Sequence, residues 1–264
     1  MNDFLRIQGL SVSFGGLTAV NNIDLELVQG ECRGMIGPNG AGKSTIFNVI
    51  TGITKKSQGN IHFQGQELTR LKPHQIALKG VGRTFQKVEL FPHFTVRENI
   101  MVGMHVHLKA GVLASGLKVK KVKSEEEEAR ARAIDILRLV NLSRYADQLA
   151  SNLAFGQQRL MELGRALALQ PKLLLLDEPA AGMNYREVEE LKGILKVLRD
   201  EKGITIFLAE HVMQLVMGIS NKITVIHFGE KIAEGFSEEI RDDPKVIEAY
   251  LGKKSLRQSR MRKS

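Results

Sequence analysis

One stretch decides the fold, Gly37-Pro38-Asn39-Gly40-Ala41-Gly42-Lys43-Ser44-Thr45, which lies between an apolar run and a segment with helical periodicity. It matches the pattern G-x-x-x-x-G-K-[ST], whose glycines let successive backbone N–H groups surround phosphate oxygens. The N-terminus of the following helix adds a partial positive charge. An ordinary Gly-rich turn would not need a Lys and a Ser directly after its last Gly. The stretch therefore predicts a phosphate-binding loop, in which Lys43 reaches the β and γ oxygens of ATP and Ser44 places its hydroxyl on Mg²⁺.

A second motif supplies acidic groups. An apolar run ends in two carboxylates and a proline in Leu173-Leu174-Leu175-Leu176-Asp177-Glu178-Pro179. Open α/β sheets hold their ligands at the C-terminal ends of strands. Alone, such a strand end is as consistent with a solvated loop, but the upstream phosphate loop favours a site. We expect Asp177 to hold Mg²⁺ through its water shell and Glu178 to polarise the water that attacks the γ-phosphate.

Strand patterns and helical patterns alternate along most of the chain. Two short strands, Leu5–Ile7 and Ser11–Phe14, are predicted at the start, and a strand over Gly80–Gln86 is predicted to end on a polar side chain. Helical periodicity then extends over Val96–Leu169, where a capping-box pattern at Ser124 predicts the start of a helix. This order predicts an α/β fold with a mostly parallel sheet, an N-terminal antiparallel β subdomain and an inserted α-helical subdomain.

The composition excludes several classes of protein. The chain has 264 residues, 43% of them hydrophobic, which is enough for one sizeable core. No apolar run approaches the ~18 residues that cross a bilayer, and the start at Met1–Phe4 lacks the features of a secretory signal. Because Cys32 is the only cysteine, no internal disulfide is possible and the chain suits a reducing compartment. Any membrane association is expected to come from a partner.

The net charge of +9 is concentrated at the C-terminus. Residues 253–264 carry six basic side chains and no acid, which leaves about +3 for the rest of the chain. We interpret this basic tail as a solvated, disordered end. Contact with anionic lipid headgroups is the weaker interpretation, at ~1 kcal/mol per basic residue near such a surface.

Five further motifs, in their usual order and spacing, make the sequence resemble the ATPase subunits of ABC transporters over about residues 4–252. They are Phe14, Gln86, the signature-like Leu153-Ala154-Phe155-Gly156-Gln157-Gln158-Arg159, the D-loop-like Ala180-Ala181-Gly182-Met183-Asn184, and His211. The resemblance implies that Phe14 stacks on the adenine and that His211 contacts the γ-phosphate. It implies that Gln86 senses both Mg²⁺ and the attacking water. Asn184 stands where the family usually has Asp.

The signature stretch departs from the commonest form, Leu-Ser-Gly-Gly-Gln. In the family this loop presents backbone N–H groups and a helix N-terminus to the nucleotide bound by the opposite subunit. Ala154 removes a hydroxyl, Phe155 removes the conformational freedom of a glycine, and Gly156 and Gln157 remain. One hydroxyl to a charged group contributes about 1.5–3 kcal/mol. This loss changes the interaction energy of the site without clearly abolishing it. We therefore expect the nucleotide still to be contacted by Ala154, Phe155, Gly156 and Gln157.

The resemblance also implies a domain organisation. We expect one ABC ATPase domain over residues 1–252, with a P-loop NTPase core of the RecA-like type. The core is expected over about residues 1–86 and 160–252, and the helical subdomain over about 87–159. Residues 253–264 form the basic tail.

Within the family the sequence resembles the longer-type ATPases of bacterial branched-chain amino acid importers. The motifs around Leu153–Arg159, Asp177–Asn184 and Asp243–Gly252 carry this resemblance, with an extra stretch at about Met104–Ser124. It implies a head-to-tail dimer with a homologous, non-identical ATPase, bound to integral-membrane permease subunits. A periplasmic or extracellular substrate-binding protein would act indirectly. The expected location is peripheral, on the cytoplasmic face of the bacterial inner membrane.

Three alternatives stay open. Related assemblies transport urea, amides or lipopolysaccharide, and the sequence does not choose among cargoes. A nucleic-acid-handling ABC ATPase fits the positive charge, but Ile46–Asn152, with 107 residues, is too short for the coiled-coil arm of repair enzymes, so no nucleic acid is expected. A module without turnover would fit Ala154, Phe155 and Asn184.

Overall fold

The computed structural model describes residues 4–105 and 119–250. The strands are β1 Leu5–Phe14, β2 Leu17–Leu27, β3 Cys32–Ile36, β4 Gln58–Phe63, β5 Gln66–Glu67, β6 Val81–Arg83, β7 Leu173–Asp177, β8 Thr205–Ala209, β9 Lys222–His227 and β10 Glu230–Gly235. The helices are α1 Lys43–Ile50, α2 Pro73–Leu78, α3 Val96–Gly103, α4 Val119–Leu139, α5 Phe155–Leu167, α6 Tyr185–Asp200, α7 Met213–Ile219 and α8 Ser237–Asp242. Residues 244–250 are also helical.

The larger sheet has six strands in the order β10-β9-β3-β8-β7-β6. All neighbours pair in parallel except β9 with β10. Every residue of β3, β7 and β8 is buried, as expected for central strands covered on both faces. The predicted α/β fold with a mostly parallel sheet is confirmed.

Alternate residues of the central strands enter two different apolar cores. On β7, Leu174 and Leu176 face the core built with α5, α6 and α7. Leu173 and Leu175 face the core built with α1 and the smaller sheet. This separation follows from the period of two along a strand. The large sheet is therefore the middle layer, and its C-terminal strand ends carry the loops that follow β3, β7 and β8.

The smaller sheet is antiparallel, in the order β2-β1-β4-β5. The prediction of two separate opening strands was wrong, because Leu5–Phe14 form one strand. The interruption in the apolar pattern coincides with Gly9, which has a φ of +57°, and with an irregular register between Ile7 and Leu10. A bulge therefore bends one strand where the sequence suggested a break.

Helices α3, α4 and α5 pack together between β6 and β7 in the chain order. Val96 and Ile100 of α3, Leu137 of α4 and Leu163 of α5 belong to one buried cluster. Helix α4 begins at Val119, so the predicted start at Ser124 was wrong and the acidic residues lie inside the helix.

Two other predictions concern positions at the ends of elements. The strand predicted to end on Gln86 ends at Arg83, which places Gln86 in the loop before α3. The basic tail at 253–264 and most of the extra stretch before the signature lie outside the described residues. Within residues 4–105 and 119–250, no helix combines the length and apolar character needed to cross a membrane.

Candidate active site

The loop between β3 and α1 is packed too tightly for side chains at two of its glycines. A Cβ on Gly37 would lie 2.1 Å from the Ile226 carbonyl oxygen. A Cβ on Gly42 would lie 2.6 Å from the Ala19 carbonyl oxygen, and Gly42 has a φ of +107°. Glycine at these positions lets β9 and β2 support the loop from behind, so that its backbone curls at the N-terminus of α1.

Lys43, the first residue of α1, turns its ammonium group back into the loop. Its Nζ donates to the Gly37 carbonyl at 2.6 Å and to the Pro38 carbonyl at 3.1 Å. Burial lowers the pKa of Lys43, and the carboxylates of Glu178 and Asp177 oppose that shift. A positive charge therefore sits at the centre of the loop, where it can meet phosphate oxygens.

Asp177, the last residue of β7, is held on both carboxylate oxygens. Ser44 Oγ donates to Oδ1 at 3.1 Å, and Arg83 donates to Oδ2 at 3.0 Å. Burial raises the pKa of Asp177, and the adjacent Arg83 guanidinium acts against that rise. The phosphate loop and the acidic strand end, 133 residues apart in sequence, are thus in direct contact.

Arg83 also belongs to this site, although the sequence did not predict it. Besides Asp177, its guanidinium donates to Asn48 Oδ1 at 2.8 Å and to Thr51 Oγ1 at 3.1 Å, both from the end of α1. The available signal was a basic side chain at the end of the buried pattern Val81-Gly82-Arg83. A charge at such a position needs a partner, but the sequence does not say which.

Glu178 follows β7 in a left-handed backbone conformation, with φ of +50°. Such a conformation is rare for a residue other than Gly and concentrates at functional sites. It aims the carboxylate towards Gln86, whose Nε2 donates to Glu178 Oε2 at 3.0 Å. His211 Nδ1 lies 3.9 Å from the same oxygen. Glu178 and Gln86, predicted to act on the attacking water, and His211, predicted to contact the γ-phosphate, therefore lie close together.

Glu210 was also missed, although it directly follows the buried strand β8 and precedes His211. Its side chain is fully buried and accepts from the backbone N–H groups of Ala180, His211 and Val212 at 2.7, 2.6 and 3.0 Å. One carboxylate therefore ties the loop that carries His211 to the D-loop-like segment that follows Glu178.

A cleft opens above the loop. Its lining residues are Ala19, Asn39, Gly40, Ala41, Gly42, Lys43, Ser44, Thr45, Gln86 and Glu178. Ala19, on β2, was not predicted. Phe14 is at the tip of the β1–β2 hairpin, 51% exposed, and is not among the lining residues. Its contact with adenine stays a prediction.

The signature-like residues lie at the start of α5, outside that cleft. Ala154 precedes the first turn and offers no side-chain acceptor to it, and its own N–H donates to Gln157 Oε1 at 3.0 Å. Phe155 is 47% exposed, and Gly156 follows it in the first turn. The backbone N–H groups of this turn have no acceptor within the helix, as at any helix N-terminus, and Gly156 is buried beside Glu187, whose carboxylate oxygen would lie 2.4 Å from a Cβ on Gly156.

The fold and the cleft define a P-loop ATPase of the ATP-binding-cassette type. The chain belongs to the ABC transporter family, since the profile of that family matches residues 20–181, more than half of its length. As a member it binds adenine nucleotide and hydrolyses ATP, which confirms the predicted activity.

Similar proteins narrow the class. The high-affinity branched-chain amino acid transport ATP-binding protein BraF of Pseudomonas aeruginosa is 46% identical over 94% of this chain and 97% of its own length. The corresponding protein LivG of Escherichia coli is 47% identical over the same shares. Residues 230–254 match a second family, described as branched-chain amino acid ATP-binding cassette transporter. The predicted resemblance to this branch is confirmed.

Solved structures agree with the fold. A nucleotide-free ATP-binding cassette from an ABC transporter has a TM-score of 0.83 and 34% identity, and it covers 95% of this chain and 100% of its own. A cassette in its ADP conformation has a TM-score of 0.83 and 33% identity, and it covers 96% and 100%.

Proposed function

We propose that the chain is the ATP-hydrolysing subunit of a bacterial importer for branched-chain amino acids, bound peripherally at the cytoplasmic face of the inner membrane. The observation that carries the catalytic part is the pair of contacts from Ser44 to Asp177 and from Gln86 to Glu178 beside the buried Lys43. The names of the relatives support the cargo. The division into a core at about 1–86 and 160–252 and a helical subdomain at about 87–159 belongs to this proposal, although α5 continues across its second boundary.

Ser44, Asp177 and Gln86 fit a magnesium site. Mg²⁺ prefers hard oxygen ligands and keeps several of its waters. The Ser44 hydroxyl and an Asp177 carboxylate oxygen lie 3.1 Å apart. The Gln86 side-chain amide lies 3.0 Å from the carboxylate of Glu178, the residue that follows Asp177. When bound, Mg²⁺ supplies charge neutralisation at the phosphate oxygens.

The residues of the cleft divide the work of hydrolysis. Lys43 and the backbone N–H groups of residues 37 and 39–45 bind the triphosphate. Glu178 accepts a proton from the attacking water as general base, and Gln86 and His211 orient the water and the γ-phosphate. Phe14 stacks on the adenine from the hairpin tip.

A second ATPase subunit completes each site. The open N-terminus of α5, at Ala154–Gln157, would contact the nucleotide held by the opposite subunit in a head-to-tail dimer. Integral-membrane permeases would bind the face that carries Phe91 and Phe94, whose exposed rings stack at 5.4 Å. The substrate-binding protein would act through the permeases.

An uptake assay tests this function. Cells that express Lys43→Ala in place of the native chain should lose uptake of labelled leucine, isoleucine and valine, while urea uptake and lipopolysaccharide export continue. The matched control is Lys192→Ala on α6, where the lysine pairs with Glu189. Normal leucine uptake with loss of urea uptake or of lipopolysaccharide export would contradict the cargo and leave the ATPase assignment intact. Salt-sensitive retention of DNA or RNA on a filter would instead favour nucleic-acid handling.

A further inference from the structure

Two buried charged side chains of α5 hold the segment that carries Gln86. Arg159 donates from NH1 to the Phe85 carbonyl at 3.1 Å and from NH2 to the Gln86 carbonyl at 2.7 Å. Glu162, one turn further along α5, accepts from the Phe85 N–H at 2.9 Å. We call Arg159 and Glu162 the α5 clamp.

The α5 clamp fixes the main chain of a residue whose side chain is exposed. Gln86 has an exposed side chain, and a free glutamine side chain loses rotamer entropy when it is ordered. The clamp holds the carbonyl on each side of the Gln86 nitrogen and α-carbon, namely those of Phe85 and Gln86. The amide then needs only its side-chain torsions to reach Glu178 Oε2 at 3.0 Å.

Stability alone does not account for a charged pair here. Arg159 and Glu162 side chains are 7% and 3% exposed, with 3.6 Å between NH1 and Oε2. Replacing a buried ion pair with apolar residues is often neutral or stabilising. A guanidinium, however, presents several donors in one plane, and that geometry suits two consecutive carbonyls. Arg159 and Glu162 are therefore suited to orienting the main chain at Gln86.

The α5 clamp also contacts Phe155, the first residue of α5. The Arg159 guanidinium lies over the ring of Phe155 at 5.3 Å, and Phe155 belongs to the loop that would contact the other subunit's nucleotide. A shift of Phe155 would therefore move the same guanidinium that positions Gln86.

We propose that Arg159 and Glu162 are positioning residues for ATP hydrolysis, which set the backbone of Gln86 and connect it to the N-terminus of α5. This inference rests on the role of Gln86 in the proposed function. It makes Gln86 responsive to the signature-like loop of its own chain.

Steady-state ATP hydrolysis by the transporter purified through this chain tests the proposal, in a cycle of Arg159→Lys, Gln86→Ala and the double variant. Lysine keeps the charge but cannot serve both carbonyls from one plane. Arg159→Lys should lower kcat by about tenfold with the KM for ATP within about twofold. In the Gln86→Ala background it should cause no further loss.

Glu162→Gln and Arg130→Lys complete the design. Glu162→Gln keeps an acceptor for the Phe85 N–H, so its loss should be smaller than that of Arg159→Lys, and it serves if Arg159→Lys fails to fold. Arg130→Lys, at an exposed pair on α4, should turn over normally. An equal loss from Arg159→Lys in both backgrounds would overturn the clamp alone. Normal turnover in Gln86→Ala would overturn the role of Gln86 and the clamp with it.

Discussion

The cleft above the phosphate loop and the N-terminus of α5 differ in how fully their groups are paired within the single chain. In the cleft, Lys43, Ser44 and Glu178 each contact a partner from their own chain. At the start of α5, Phe155 is half exposed, and Ala154 provides no cap to the first turn. Both regions belong to motifs of the same family, yet the charged groups of the cleft are paired within the described structure, whereas Phe155 packs against Arg159 and Gly182 with nearly half of its surface exposed.

This difference fits the proposal that a second subunit completes each site. A charged group that is buried must find its partner during folding, so the cleft is organised before any ligand arrives. A helix N-terminus, in contrast, can bind an anion that arrives from outside the chain. The α5 N-terminus is thus suited to a phosphate that a second chain presents.

The largest expected effect comes from replacing Glu178, the proposed general base, in the cleft. Glu178→Gln should slow ATP hydrolysis by about 10²–10⁴-fold, while nucleotide binding persists because Lys43 and the loop are unchanged. Phosphate release and equilibrium nucleotide binding measure the two properties. Glu190→Gln on α6, where the side chain accepts from Asn141, is the control, and unchanged turnover in Glu178→Gln would remove Glu178 from this role.

The same variant tests the proposed role of the α5 N-terminus, because a nucleotide that is not hydrolysed should hold two chains together. Light scattering of Glu178→Gln with its partner ATPase and saturating Mg-ATP should give a dimer. Persistence of monomers under these conditions would contradict the composite site.

Removal of Arg83, which pairs with Asp177 in the cleft, should lower the free energy of unfolding. Arg83→Met leaves Ser44 as the side-chain hydrogen-bond donor to the buried Asp177 carboxylate, and breaking a buried pair costs about 3–5 kcal/mol. We expect the low end, about 3 kcal/mol, since burial raises the pKa of Asp177 and protonation offers partial relief. Urea unfolding of Arg83→Met and of the surface control Arg132→Met measures the free energy of unfolding.

The pH dependence sharpens this prediction. A carboxyl whose folded-state pKa is above its unfolded value destabilises the fold when ionised, and the penalty disappears as the pH falls through the folded pKa. The deficit of Arg83→Met should therefore shrink on acidification. A deficit that is constant with pH would show that lost packing, not an unpaired Asp177, is its cause.

The contact between Phe155 and the D-loop-like segment is expected to give a smaller effect. A Cβ on Gly182, which has a φ of +78°, would lie 2.8 Å from the Phe155 ring. Gly182→Ala should lower the free energy of unfolding by about 2 kcal/mol, from a left-handed alanine and a displaced ring. Gly193→Ala in α6, where a Cβ meets nothing within 4 Å, should instead be neutral or stabilising. Equal unfolding midpoints for the two variants would contradict the contact.

The smallest effect concerns the uncapped turn. Ala154→Ser adds a hydroxyl that can accept from the first turn of α5, and such a cap contributes about 1 kcal/mol. The free energy of unfolding should rise accordingly, with Ala154→Val as a control that adds bulk without an acceptor. No gain over Ala154→Val would show that the turn is already satisfied in the free chain.

The sequence predicted local chemistry better than it predicted partners. Lys43 and Ser44 follow from one continuous motif, so their placement needed no knowledge of the tertiary fold. The contact of Arg83 with Asp177 depends on β6 lying beside β7, and that strand order is a long-range property. In the sequence the bulge at Gly9 looks the same as a break between two strands, because a left-handed glycine interrupts an alternating pattern whether the strand continues or ends.

The contacts of Lys43 hold the phosphate loop in a defined shape. Its ammonium already lies between the carbonyls of Gly37 and Pro38, so an arriving nucleotide exchanges partners with a shaped loop. Association is slowed when binding must wait for a conformational change, so we expect a loop that is already shaped to bind nucleotide without much of that delay. The proposed pairing of two subunits would then be the slower step.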